Sequence, residues 1–171
     1  MRDNQVRQKL LNGESVIGLQ VGLASPHVTE LLAHSGFDWL ALEMEHTSID
    51  SRDLEYMMMA MNGTETIPLV RPSVDVPHDI QKALDAGAMG VFAPMIKTAA
   101  DAEAIVKATR YPPEGTRGCG PLRASRYTLD YDDYLARANE HMLVTFILET
   151  KEALENLEEI MSVPGVDALY F

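Results

Sequence analysis

Short apolar runs alternate along the chain with longer stretches in which apolar residues recur every three or four positions. The short runs are typical of buried strands, and the longer spacing is typical of amphipathic helices. The pattern predicts strands at 16–21, 38–43, 66–70, 90–93, 143–148 and 168–171. It predicts helices at 4–11, 25–36, 50–62, 77–86, 98–110, 130–141 and 151–162.

The apolar side of each predicted helix is expected to face the core. Helix starts are marked by capping residues, such as Ser25 before Pro26 and the threonines Thr98 and Thr150. The residues expected to be buried share helical spacing and are Val28, Leu31 and Leu32; Leu54, Met57, Met58 and Met61; Ile80, Ala83 and Leu84; Ala102, Ile105 and Val106; and Leu154, Leu157, Ile160 and Met161.

The regular alternation of strand and helix predicts an α/β fold. Hairpin signals and composition breaks are absent, so the pattern indicates right-handed βαβ units on one parallel sheet, within a single domain over 1–171. Two architectures remain open, a doubly wound sheet and a (β/α)8 barrel. The barrel typically needs about 250 residues and eight strands, and this chain has 171 residues and six predicted strands.

Composition narrows the classes of partner. The net charge is −12, which argues against nucleic acid or an anionic membrane surface as a partner. Hydrophobic residues make up 46% of the chain, but no run approaches the roughly 20 apolar residues of a membrane span. The single cysteine, Cys119, excludes an internal disulfide and fits a reducing compartment. We therefore expect a cytoplasmic protein that acts on small molecules.

Polar residues stand where several predicted strands end. Glu43, Glu45 and His46 follow the second strand, Arg71 ends the third and Glu149 follows the fifth, and the carboxyl ends of parallel strands share one edge. An imidazole moves protons near neutral pH, and a guanidinium can stabilise a carboxylate or an enolate.

Two further features of the sequence bear on this site. Asp85, near the end of the helix before the fourth strand, is predicted to join the group at the carboxyl edge. The Gly-rich segment 115–120 lacks the lysine and hydroxyl of a phosphate-binding loop. It is interpreted as a flexible rim loop that supplies Arg117, Arg123 or Arg126 to a substrate.

The order of these motifs resembles the HpcH/HpaI aldolase family over nearly the whole chain. The resemblance is carried by Phe37-Asp38-Trp39-Leu40, Glu43-Met44-Glu45-His46, Val70-Arg71-Pro72, Leu84-Asp85-Ala86-Gly87-Ala88, Ala93-Pro94-Met95, the segment 108–118, Arg123-Ala124-Ser125-Arg126-Tyr127 and Leu148-Glu149-Thr150. Its most specific part is the segment 108–118.

The resemblance implies a (β/α)8 barrel and a metal-dependent class II aldolase that cleaves or forms 4-hydroxy-2-oxo acids, giving pyruvate and an aldehyde. It implies that His46 and Asp85 form a proton-transfer pair acting through a water. Arg71 would stabilise the pyruvate enolate, and Glu149 would bind a divalent metal, Mg²⁺ or Mn²⁺ with Co²⁺ as a further alternative. It also implies a homo-oligomer.

This sequence departs from the family pattern at three places. Ile147 stands where a glutamine is usual, and Glu43 stands where an aspartate is usual. The chain also ends at Phe171, before the family's Gly-Pro-x-Asp segment, whose aspartate is the second metal ligand. We therefore expect a barrel truncated after about six strands and inactive by itself. The alternatives are a citryl- or malyl-thioester lyase of the same superfamily and a non-catalytic remnant.

Overall fold

The computed structural model describes residues 1–73 and 76–171, whose strands form one six-stranded parallel sheet. The strands are β1 (Gly18–Val21), β2 (Trp39–Glu43), β3 (Ile67–Arg71), β4 (Gly90–Ala93), β5 (Leu143–Ile147) and β6 (Ala168–Tyr170). The helices are α1 (Gln5–Leu11), α2 (Pro26–Ala33), α3 (Ser51–Ala60), α4 (Val76–Asp85), α5 (Ala99–Thr109), α6 (Tyr131–His141), α7 (Lys151–Glu155) and α8 (Leu157–Met161). Within the described residues, none of these helices has the length and apolarity needed to cross a bilayer.

The order of the strands decides between the two architectures that the sequence left open. Each strand pairs in parallel with the next strand along the chain, in the order β1-β2-β3-β4-β5-β6. A doubly wound sheet reverses its strand order at a switch point, whereas a barrel winds in one direction. The sheet is therefore the wall of a (β/α)8 barrel, of which this chain contributes six strands.

Side chains on the two faces of the strands enter separate apolar clusters, as the alternation of a strand requires. The outer cluster joins strand residues to helices α2–α8, and its fully buried members include Leu40, Leu42, Leu54, Met57 and Phe146. The inner cluster comprises Val6, Ala41, Ile67, Leu69, Met89, Phe92, Leu143 and Ile147. Trp39 packs against this inner cluster, and its ring lies 5.2 Å from that of Phe92.

Helix α1 lies against the amino-terminal edge of the sheet and closes the inner cluster there. Val6 is buried in that cluster. Asn4, which is fully buried, caps α1 through its side chain, and its amide donates to the carbonyl of Met89 at 2.8 Å. Lys9 pairs with Asp38 at 2.6 Å. The hydrogen bond from Lys9, and then the backbone N–H of Ile17, lower the pKa of Asp38.

The predicted buried faces are confirmed for α3, α4 and α5 and are wrong in part for α2 and the last helix. Leu31 is 68% exposed, because α2 turns the smaller Thr29 and Ala33 towards the core. The predicted helix 151–162 is divided into α7 and α8 at Asn156, whose side-chain amide donates to the carbonyl of Lys97. This break leaves Leu154 and Met161 exposed, while Ala153 and Ile160 are buried.

Residues 115–120, interpreted from the sequence as a flexible rim loop, are anchored by Arg117 and by backbone hydrogen bonds from Thr116 and Arg117 to α5 and its C-terminal end. The side chain of Arg117 is fully buried and pairs with Asp85 at 2.7 Å, with its guanidinium carbon 4.5 Å from the centre of the Tyr111 ring. Arg123 donates to the carbonyl of Ala86. These contacts commit Arg117 and Arg123 to structural roles.

We predict that Gly90→Ala destabilises the protein by about 1–3 kcal/mol, the usual cost of overpacking. A methyl group at Gly90 would lie 2.4 Å from the carbonyl oxygen of Leu143, so β4 and β5 could not keep their separation. The matched control is Gly120→Ala, where the added carbon would meet its nearest neighbour at 3.6 Å, an ordinary contact. Urea unfolding measures both variants, and equal stability of the two would contradict the assigned role of Gly90.

We also predict that acid weakens the docking of α1 through His141. The Nδ1 atom of His141 accepts the backbone N–H of Asn4 at 3.2 Å, which requires an unprotonated nitrogen. Burial, and then Arg137, lower the pKa of His141 below its ordinary value of 6.5. The unfolded chain therefore binds a proton more readily than the folded chain, and the free energy of unfolding falls as the pH drops below about 6.5.

The measurement is the change in Tm between about pH 7.5 and pH 5.5. It should be smaller in His141→Gln than in the wild type. His27→Gln is the control, because His27 is exposed on α2. A His141→Gln variant with the pH dependence of the wild type would contradict the prediction.

Candidate active site

Arg71, the last residue of β3, lies at the centre of a cluster of charges at the carboxyl edge of the sheet. Its side chain is only 11% exposed. It forms an ion pair with Glu45, and its Nη1 lies 3.4 Å from Oε2 of Glu43. On the other side, its Nη2 lies 3.9 Å from Oε2 of Glu149. One guanidinium therefore contacts carboxylates at the ends of two other strands, β2 and β5.

His46 is held next to Arg71 by the turn that follows β2. Its Nε2 lies 3.3 Å from Nη2 of Arg71 and 3.4 Å from Oε2 of Glu45. Glu43 stabilises this turn, because its Oε1 accepts hydrogen bonds from the backbone N–H groups of Glu45 at 2.7 Å and His46 at 3.2 Å. The imidazole is 67% exposed, so it is open to a substrate.

Glu149 reaches the cluster from the end of β5. Its Oε1 accepts the backbone N–H of Met95 at 3.0 Å, and its side chain is one-third exposed. Met95 has a φ of 58°, a left-handed conformation that costs a residue with a side chain roughly 1–2 kcal/mol. This backbone conformation accompanies the N–H contact that orients the carboxylate.

Asp85 is not in this cluster, and the predicted convergence of four residues is wrong for it. Helix α4 leads from the carboxyl end of β3 back to the amino end of β4, so its last residue lies at the opposite edge of the sheet. There Asp85 pairs with Arg117, whose Nη2 also lies 3.2 Å from the Tyr134 hydroxyl. A pairing of His46 with Asp85 is therefore not formed within this chain.

Sequence reasoning missed two residues that contact the cluster. Gln20 of β1 donates its side-chain amide to Oε2 of Glu43. The signal was a polar residue within the otherwise apolar run 16–21. The second residue is Met95, which contacts Glu149 through its backbone N–H in a left-handed conformation. Its residue type gave no indication of this contact. Ile147, at the usual glutamine position, is buried in the inner cluster beneath these strand ends.

The cluster suits a cation in charge and in donor type. The carboxylates of Glu43, Glu45 and Glu149 and the guanidinium of Arg71 leave a formal charge of −2 when all are ionised. Carboxylate oxygens are the ligands that Mg²⁺ prefers, although it usually keeps several waters. Among residues 1–73 and 76–171, no three His, Cys, Asp or Glu side chains are arranged to hold a metal ion. Glu149 is the most accessible of the three carboxylates.

Comparison with known proteins gives the context for this geometry. The family described as HpcH/HpaI aldolase/citrate lyase matches residues 16–171. The hydroxypyruvate/pyruvate aldolase of Roseovarius nubinhibens is 37% identical over 169 residues, covering 98% of this chain and 65% of the relative. The 4-hydroxy-2-oxo-heptane-1,7-dioate aldolase of Shigella sonnei is 41% identical over 170 residues, covering 98% and 64%. The chain thus spans about 65% of the length of these relatives.

The fold comparison agrees with the sequence comparison. The crystal structure of an HpcH/HpaI aldolase/citrate lyase family protein from Burkholderia cenocepacia J2315 superposes with a TM-score of 0.91 at 36% identity, covering 97% of this chain and 67% of that chain. The family match extends from before β1 to the last residue and includes every strand that ends in the charged cluster. The resemblance predicted from the motifs is therefore confirmed, and the chain belongs to the HpcH/HpaI aldolase/citrate lyase family.

Proposed function

We propose that this chain is part of a divalent-metal-dependent aldolase that cleaves or forms 4-hydroxy-2-oxo acids, giving pyruvate and an aldehyde. The observation that carries the proposal is the meeting of His46, Arg71 and Glu149 at the carboxyl edge of the sheet in a chain of this family. These residues supply a proton carrier, a fixed positive charge and an oxygen ligand.

In the proposed cleavage, a base removes the proton of the C4 hydroxyl and the C3–C4 bond breaks. The aldehyde leaves, and the bonding electrons pass to pyruvate as its enolate, which then takes a proton at C3. His46 is the proposed proton carrier, because its imidazole is exposed beside Arg71. Arg71 is proposed to stabilise the enolate, since negative charge develops there during the reaction.

Glu149 is the proposed metal ligand of this chain. Its Oε1 is bound by the Met95 N–H, while Oε2 makes only the long approach to Arg71 among the described residues. A bound Mg²⁺ or Mn²⁺ would act as a Lewis acid on the keto acid. The proton-transfer role that the resemblance implied for Asp85 is not supported by this geometry, and we assign Asp85 to the brace with Arg117.

We further propose that residues 1–171 alone do not turn over substrate. Strands β1 and β6 are the two edges of the sheet, and Ile17, Leu19, Tyr170 and Phe171 are exposed there. Unpaired edge strands with exposed apolar residues are prone to aggregation. Activity is therefore to be measured in a protein in which residues 1–171 are joined to the remaining strands of an eight-stranded barrel. This protein is called below the closed-barrel protein. The 171-residue chain serves as the comparison.

The first test is metal removal. Pyruvate release from a 4-hydroxy-2-oxo acid, followed through reduction by lactate dehydrogenase, should be lost when the closed-barrel protein is treated with EDTA. Activity should return with added Mg²⁺ or Mn²⁺, because Glu149 then regains its cation. Undiminished pyruvate release after complete metal removal would overturn the proposal.

The second test is Arg71→Ala, which should reduce kcat by about 10²–10³, a larger effect than any loss of metal affinity. The reason is that Arg71 is assigned to charge that appears only as the reaction proceeds. Arg71→Lys is the matched control. It keeps a positive charge between Glu43 and Glu45, whose side chains are nearly buried, so the fold is less disturbed than in Arg71→Ala. An Arg71→Ala variant with wild-type turnover would exclude the assigned role.

The rival function is the lyase chemistry that the family description also names. A thioester of coenzyme A brings an anionic nucleotide, and the charged side chains that meet at this site are three acids and one arginine. That balance favours a small keto acid with its metal. Turnover of a citryl thioester in preference to 4-hydroxy-2-oxo acids would support the rival.

A further inference from the structure

Glu43 occupies an unusual place for a carboxylate at the end of a strand. It is 5% exposed and lies on the inner face of β2, directly opposite Arg71 in the register of the sheet. A buried carboxylate is costly unless its oxygens are fully engaged by donors.

Four donors converge on this carboxylate. Oε1 accepts the backbone N–H groups of Glu45 and His46. Oε2 accepts the amide of Gln20 and lies 3.4 Å from Nη1 of Arg71. Each oxygen thus serves a different task, since Oε1 holds the turn after β2 and Oε2 joins β1 to β3.

The main chain of Glu43 strengthens the same turn. Its carbonyl accepts the hydroxyl of Thr47, and that hydroxyl accepts the backbone N–H of Ile49 at 3.2 Å. The turn that carries His46 is therefore tied to Glu43 at both its side chain and its carbonyl. A shift of about 1 Å in a reacting group can cost about 10²-fold in rate, so this rigidity matters for proton transfer.

We propose that Glu43 is a positioning residue for the aldol reaction, holding the His46 turn with one oxygen and the Arg71 guanidinium with the other, and that Gln20 fixes the carboxylate from β1. The kinetic part of this inference rests on the proposed function. Glu43 does not carry the proton itself, because it is buried and all its oxygen contacts are taken by the four donors.

The chain offers a graded set of variants. Glu43→Ala removes both oxygens. Glu43→Gln keeps the shape but presents an NH2 group to one of the two donor pairs, so one of the two tasks fails. Glu43→Asp keeps both oxygens and the charge on a shorter side chain. Gln20→Ala removes one donor from Oε2, and Glu30→Gln, on the exposed surface of α2, is the charge-matched control.

The first readout is hydrogen exchange of the 44–47 amides in the closed-barrel protein, measured by mass spectrometry. Exchange should quicken by about tenfold or more in Glu43→Ala, because a hydrogen bond to a charged acceptor is lost. Amides of β3 and β5 should keep their protection, which separates loss of the turn from unfolding. Unchanged exchange at 44–47 in Glu43→Ala would overturn the proposal, even if the wild type proves to lack aldolase activity.

The second readout is the division of the kinetic effect. Glu43→Ala and Glu43→Gln should lower kcat by about 10²-fold while changing KM for the keto acid far less, since the residues that Glu43 orients act in the transition state. Glu43→Asp should restore most of kcat, Gln20→Ala should show a smaller loss, and Glu30→Gln should match the wild type. An Asp variant as impaired as Glu43→Ala, or a loss confined to KM, would contradict a positioning role.

Discussion

The arrangement of the site depends on one guanidinium that neutralises several carboxylates at the end of a parallel sheet. Glu43 and Glu45 are both nearly buried, and two such acids side by side would repel each other without Arg71 between them. Arg71 itself is 11% exposed and requires those acids for the same reason. The ends of β2 and β3 are therefore held together by charge as well as by backbone hydrogen bonds, and Glu149 brings β5 to the same point.

The outer face of the strands contributes to stability, and the inner face carries the candidate active site at its carboxyl edge. The outer face packs against α2–α8 in a dense apolar cluster. The inner face changes character along the strands, from the apolar packing around Val6, Trp39 and Ile67 to the charged cluster at the carboxyl edge. Tight apolar packing beneath the charged cluster suits a preorganised site, because the charged groups must hold their positions while charge moves in the substrate.

Much of this fold could be predicted from the sequence, because its strands and helices follow local patterns of apolar residues. The apolar runs located all six strands, and the methionine spacing in α3 identified a buried face. The prediction was wrong for Leu31, which is exposed because α2 turns Thr29 and Ala33 towards the core. Apolar spacing alone does not show which of two overlapping faces of a helix is buried. Sequence reasoning also placed Asp85 in the site, although the end of a helix in a βαβ unit returns to the opposite edge.

Parts of the candidate site could be predicted for a similar reason. His46, Arg71 and Glu149 stand at or directly after strand ends, and the topology of a parallel sheet brings such residues together. The contacts of Gln20 and Met95 could not be derived in that way. Gln20 acts through the lateral spacing of β1 and β2, and Met95 acts through a left-handed backbone. Both are properties of the three-dimensional arrangement.

The proposal that this edge of the barrel stabilises the enolate of pyruvate can be tested without any aldehyde. Pyruvate incubated in D2O with the closed-barrel protein and Mg²⁺ or Mn²⁺ should lose its methyl proton signal in the NMR spectrum as deuterium enters at C3. We expect this exchange to require the metal and to be strongly reduced in His46→Ala. Cleavage of a 4-hydroxy-2-oxo acid without any metal-dependent exchange into pyruvate would contradict the proposal.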